Sequence, residues 1–239
     1  MIRFVFAINE RDVWFDPWFH WDGQQFSELP IDPIFIGVRW NKMWGTASGE
    51  LYVVGDYGGI AYSPDHGLTW RRLESGTTVN LNDIWGRVDT RTGKRTILCA
   101  AADPFSTTEK KILQLKQDNT VDSIPWVAGN RAPNSLWFQR STRVFVCGDG
   151  VFVRRPDAVW REIIGLTTIP YFTERLRGNA TNDWFVVGDF GTVAHWNGAT
   201  AGLYPEAAAA LYYSCDYKRD LLVAVGVRNA RAVALQMRR

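Results

Sequence analysis

The sequence predicts an all-β chain: a six-bladed β-propeller of four-stranded antiparallel blades, with only three strands' worth of residues in the last blade. Three observations carry this. A strand-and-turn pattern recurs about every 40 residues, the mark of one supersecondary unit repeated in an array. The 239 residues include 12 Trp, large flat side chains suited to the gap between stacked sheets. The 21 Gly and the scarcity of long apolar runs favour short strands joined by tight turns.

The repeat is anchored on hydrophobic runs that end in an acidic turn: DVWFDP, LYVVGDYG, ILCAAADP, VFVCGDG and WFVVGDFG, followed by LLVAVGVR. Asp16, Asp56, Asp103, Asp149, Asp189 and finally Val227 stand 40, 47, 46, 40 and 38 residues apart. Ahead of these runs lie innermost strands: IRFVFAIN, NKMWG, LNDIWG, PNSLWF, TERLRG and YYSCD. After each turn comes a third strand, as in FHWDG, IAYSPDHG and VAHWNG, and usually a fourth, as in QFSELP and TWRRLES. Four strands joined by Gly, Asp and Asn turns make an antiparallel meander. The units run roughly 1–37, 38–80, 81–132, 133–170, 171–210 and 211–239, together one domain over 1–239. Alternation along the strands is weak because both faces of a blade are buried against neighbours. A β-sandwich accounts for short strands but not for a four-strand element recurring six times. With three strands in the sixth unit, closure is expected from blade packing or from N-terminal residues joining the last blade's edge.

The stretch Ser63-Pro-Asp65-His-Gly67-Leu-Thr69-Trp70 lies between the third and fourth strands of the second unit. Ser63 and Asp65 can bond turn N–H groups, Gly67 supplies an unusual backbone angle, Thr69 suits a strand start, and Trp70 packs into the blade. This S-x-D-x-G-x-T-W pattern resembles the Asp-box (BNR-type) hairpin of sialidases, reelin-type repeats and photosystem-assembly-type propellers. The GDYG, GDGV and GDFG turns make the whole chain similar to bacterial Asp-box propellers. The resemblance implies the propeller fold and a structural, rim-located motif with no catalytic role. Degenerate copies stand at Trp21-Asp22-Gly23, at RRPD with Trp160, and at Trp196-Asn197-Gly198.

Chemistry is sparse. A sialidase needs arginines converging on a carboxylate with a Tyr–Glu pair; Arg39, Arg140, Arg175, Arg177, Glu174 and Tyr171 are the candidates, but the arginine signature ahead of the first Asp-box is absent. A glycosidase needs two facing carboxylates, for which Asp83, Glu174 and Asp216 are placed on inner strands, with nothing in their local sequence to mark them. His20 and His195 occupy equivalent HW positions and His66 lies in the 63–70 stretch, an arrangement read as structural duty, so no metal and no cofactor is expected. Cys99, Cys147 and Cys215 form no CxxC or Cys/His cluster and read as buried free thiols.

The candidate ligand face comprises the turns after each second strand and the links into each innermost strand. It carries Trp18, Tyr57, Phe105 and Phe190 after the acidic turns, and Arg39, Trp40, Arg131, Tyr171 and Arg175 on the links. Rings flanked by arginines suit a protein contact or sugar stacking. The rings vary from blade to blade, favouring one asymmetric partner over repeated sugar pockets. The expected function is a non-catalytic binding scaffold for a partner protein or an extracellular polymer. The alternatives are a carbohydrate-binding lectin-like module and an Asp-box glycoside hydrolase. A formal net charge of +2 gives no case for nucleic acid, and no run reaches the ~18 apolar residues of a membrane span. MIRFVFAINE lacks a signal peptide's organisation, so an extracellular or periplasmic location requires that a leader or larger parent chain was removed.

Overall fold

The computed structural model describes residues 4–16, 18–103, 109–126, 131–140, 142–155, 159–207 and 210–239. They form a six-bladed β-propeller. Blade 1 holds β1 (Val5–Asn9), β2 (Asp12–Phe15), β3 (Phe19–Trp21) and β4 (Phe26–Glu28), and blade 2 holds β5 (Trp40–Gly45), β6 (Leu51–Gly55), β7 (Ile60–Ser63) and β8 (Arg71–Arg72). Blade 3 comprises β9 (Leu81–Val88), β10 (Arg95–Ala101), β11 (Lys111–Leu115) and β12 (Val121–Ile124). Blade 4 follows with β13 (Pro133–Trp137), β14 (Val144–Gly148), β15 (Gly150–Arg154) and β16 (Trp160–Ile164). Blade 5 is β17 (Thr173–Ala180), β18 (Asp183–Gly188), β19 (Val193–Trp196) and β20 (Ala201–Leu203), and blade 6 has three strands, β21 (Leu211–Lys218), β22 (Leu221–Arg228) and β23 (Arg231–Arg238). Each sheet is an antiparallel meander with its strands in sequence order. Two compact units, Met1–Pro125 and Trp126–Arg239, hold three blades each.

The weak alternation has a direct physical cause. In β6 every residue is buried, yet Tyr52 and Val54 pack with Ile84 and Ile97 of blade 3, while Leu51 and Val53 pack with Trp14 and Trp18 of blade 1. Alternate residues therefore enter two different cores, and both must be apolar. In the second unit β17 and β18 lie against β21, where Phe185, Val187, Tyr212 and Leu222 share one cluster.

A backbone clamp explains the acidic turns. In blades 1 to 5 the N–H after the second strand donates to a carbonyl just ahead of the first strand: Asp16 to Phe4, Asp56 to Arg39, Ala102 to Asn80, Asp149 to Ala132 and Asp189 to Phe172, at 2.8–3.2 Å. In blade 3 Ala102 takes this place, one residue before the expected Asp103. The carboxylates reinforce the clamp. Asp149 accepts the Ala132 N–H at 2.9 Å, and Asp56 accepts from Asn41 at 2.9 Å and pairs with Arg39.

Candidate functional site

The clamped turns then face a second demand: the chain must reverse within two or three residues, and in blades 2, 4 and 5 the residue directly after the aspartate adopts a left-handed backbone. In blade 4 that residue is Gly150, φ +91°. In blades 2 and 5 it is aromatic, Tyr57 at φ 57° and Phe190 at φ 53°. A left-handed conformation costs a non-glycine residue about 1–2 kcal/mol, and glycine removes that cost. Both rings project into solvent, Tyr57 70% and Phe190 66% exposed. Tyr57 is held from below by its N–H, which donates to the Asn80 side chain at 3.2 Å. Phe190 stands against Tyr171, itself 44% exposed on the link into β17, with ring centroids 4.7 Å apart.

Trp18 also has a left-handed backbone, φ 67°, but its ring turns inward. It is 6% exposed, 3.7 Å from the Phe35 ring centroid and 5.8 Å from that of Trp70. The longer link of blade 1 folds Phe35 over it, fixed by the Asp32 carboxylate accepting the Ile34 N–H. Trp40 is likewise buried, donating its indole N–H to the Phe35 carbonyl at 3.1 Å. These two tryptophans close the core under the loop face and leave little ring surface for a ligand. Phe105 lies outside the described residues.

The charged candidates bracket the turns. Arg39 is exposed and paired with Asp56 at 2.9 Å. Arg131 pairs with Glu162 at 2.6 Å, reaches the Asp149 carbonyl at 3.3 Å and lies over the Phe152 ring. Arg175 is 9% exposed on β17, beside Glu174. Glu174 accepts from the Asn134 amide of the neighbouring blade at 2.8 Å. Burial, and then the negative charge of Asp189, push the Glu174 carboxyl above the usual carboxylate range, against the opposing pull of Arg175 and Asn134. Burial raises Asp189 as well. The second unit thus gathers, at one end of blades 4 and 5, an exposed aromatic pair and a reluctant carboxylate.

The other catalytic candidates are placed differently. Arg177 is buried and bonds Ser135 Oγ and the Leu136 and Leu176 carbonyls, tying blade 5 to blade 4. Asp83 is fully buried on β9, and Asp216 is exposed on β21.

In the 63–70 stretch, Ser63 Oγ accepts the Gly67 N–H at 2.8 Å and donates to Asp65, while Asp65 accepts from the Thr69 N–H at 2.9 Å and its hydroxyl at 2.6 Å. Gly67 has φ +80°, and a Cβ there would lie 2.5 Å from the Trp14 ring. The turn connects β7 to β8, away from the acidic turns. In the degenerate copies Asp22 accepts from the N–H groups of residues 24 and 25, while Asn197 accepts from those of residues 199 and 200 and donates its amide to the Thr200 hydroxyl at 3.1 Å. Asp157 of the RRPD copy lies outside the described residues.

No protein-family model matches the chain, and no curated protein matches it in sequence. Solved structures do match. One, described as YCF48 bound to D1 peptide, aligns with TM-score 0.68 at 15% identity over 95% of this chain and 74% of its own. A virginiamycin B lyase from Staphylococcus aureus aligns with TM-score 0.75 at 9% identity over 99% and 80%. BBS1N in complex with ARL6DN aligns with TM-score 0.59 at 13% identity over 98% and 74%. At such identities the likeness speaks for architecture alone, and with the sheets described above it makes this chain a β-propeller.

Proposed function

We propose that this propeller is a non-catalytic scaffold that binds a partner protein through the loop face bearing the acidic turns. The carrying observation is the exposed aromatic pair Tyr171–Phe190, with Phe190 held in a left-handed position that Gly150 fills in the preceding blade. A fold that merely needed to turn would do so more cheaply with glycine, so the retained ring points to a ligand. Tyr57 repeats the exposed, left-handed ring in the first unit. Flat, rigid rings, with the Arg131–Glu162 pair on the neighbouring blade, have the composition of a protein-contact hot spot. Two of the similar structures were solved with a protein or peptide bound, which supports the same reading. In this reading the 63–70 turn is an Asp-box hairpin that braces the blade from outside the ligand face. A carbohydrate-binding module and a glycoside hydrolase are the alternative readings.

Panning a displayed random-peptide library on the wild type, with counter-selection on a Tyr171→Ser/Phe190→Gly variant, tests this. Peptides that bind the wild type at least 10-fold more tightly than the variant are expected. Signal on a glycan array with no peptide enrichment would replace the protein partner by a sugar.

A further inference from the structure

We propose that Asp12, His20 and His66 form a binding site for one divalent transition-metal ion of the zinc class. The three residues come from separate places: Asp12 opens β2, His20 lies on β3, and His66 sits in the turn after β7. The Nε2 atom of His20 lies 2.9 Å from Asp12 Oδ1, and that of His66 lies 3.4 Å from the same oxygen. All three ligand atoms fall within 4.8 Å of one another. Tetrahedral zinc with bonds of about 2.0–2.2 Å places its ligands about 3.3 Å apart, so small side-chain rotations suffice to seat an ion. Two imidazoles and one carboxylate form a set that suits zinc, cobalt or nickel rather than calcium or magnesium, with water free to complete the shell.

Two further features favour an ion over a hydrogen-bonded cluster. The first is crowding. Asp12 Oδ1 already accepts the Trp14 indole N–H at 2.9 Å. Adding both imidazoles would direct three donors at one oxygen that offers about two lone-pair positions. An ion between the imidazoles and the carboxylate removes that conflict, and leaves Trp14 as the outer donor that orients the carboxylate.

The second is the internal repeat. Blade 5 contains the same pair in the same register: Asp183 opens β18, His195 lies on β19, and the two are 2.7 Å apart. His195 is paired with Phe185 as His20 is with Trp14. There the segment after the third strand of the next blade delivers a permanent cation. Arg239 Nη1 stands 2.9 Å from Asp183 and 3.0 Å from His195. In blade 1 the corresponding segment delivers His66 instead. Its backbone is fixed by the N–H bond to the Gly49 carbonyl at 2.9 Å, with φ 59°. The aspartate–histidine pair thus meets a built-in positive charge in one blade and an imidazole ligand in the other, where the metal ion supplies the charge. The His66 side chain is 44% exposed and gives the ion a route in. Once bound, the ion ties the β2–β3 hairpin of blade 1 to the 63–70 turn of blade 2.

The chain has only three histidines, so a tag-free preparation gives a clean titration. One Zn²⁺ per chain is expected by calorimetry at pH 7.5, and Co²⁺ should give the visible absorption of a low-coordinate nitrogen–oxygen site. His66→Gln, at an exposed side chain, should fold with an unchanged metal-free Tm and bind at least 10-fold more weakly. Zinc should raise the Tm of the wild type but not of His66→Gln, and EDTA should reverse the rise. His195→Gln should leave the titration as it was. Failure of the wild type to bind zinc or cobalt at 100-fold molar excess, or equal binding by His66→Gln, overturns the site.

Discussion

Glu174 shows how a single buried carboxyl shapes the loop face. Its charge is disfavoured by burial and by Asp189, so the folded chain holds this proton more tightly than the unfolded chain does. Its contribution to stability is therefore fully present below the ordinary Glu value of 4.5 and is lost as pH rises through the higher folded value. Glu174→Gln keeps an acceptor for the Asn134 amide and removes the charge. It should raise Tm at pH 7 by about 2 °C and leave Tm unchanged at pH 4, as differential scanning fluorimetry can measure. Residue-level reading of the sequence reached this region but not its sorting. Trp18 and Tyr57 look alike as rings after acidic turns, yet only Tyr57 is exposed, because Phe35 from the blade 1 link covers Trp18. The Asp12–His20–His66 cluster was harder still to see. His66 is 54 positions from Asp12, a spacing that follows neither strand nor blade period.

Turns were the most legible elements, since their hydrogen bonds are local and their residue types follow from them. The 63–70 turn illustrates this, and it also carries a tertiary constraint hidden from the sequence. Gly67 is needed for its positive φ, and equally because the Trp14 ring of blade 1 occupies the space a methyl group would enter. Gly67→Ala therefore combines left-handed strain with overpacking, each about 1–3 kcal/mol. A Tm loss of about 5–10 °C is expected, whereas Gly76→Ala, also at positive φ but facing open space, should lose less than half as much. Asp65, Asp22 and Asp89, each accepting turn hydrogen bonds, titrate in the sense opposite to Glu174. Thr69 holds the Asp65 carboxyl below the ordinary Asp value of 3.8, and backbone N–H groups do the same for Asp22 and Asp89. Their stabilisation is present above that value and is lost as pH falls through the lower folded values. Acid unfolding followed by circular dichroism should accordingly be steep below pH 3.8, and an Asp65→Asn variant should show a shallower acid limb.

At the scale of the whole molecule, the repeat was readable because blades 1 to 5 share the same clamp between their first and second strands. The residues that distinguish one blade's loops from the next obey no repeat, and so the proposed partner surface was legible only as a set of candidates. The three cysteines allow the integrity of the two units to be tested together. Cys99 lies in the first unit and Cys147 and Cys215 in the second, all buried and unpaired with one another. Burial, and then the nearby Asp83 charge, push the Cys99 thiol far above its usual range, so its reactive thiolate is scarce in the folded chain. Each thiol also stands between two blades: Cys147 Sγ lies 3.7 Å from the Thr173 carbonyl and Cys215 Sγ 3.8 Å from that of Arg175. Reaching any of them requires neighbouring sheets to separate. A thiol-reactive chromophore at pH 8 should therefore label none of the three within minutes on the native chain and all three in 6 M guanidinium. Fast labelling of even one cysteine under native conditions would mean that the sheets flanking it are not packed as described.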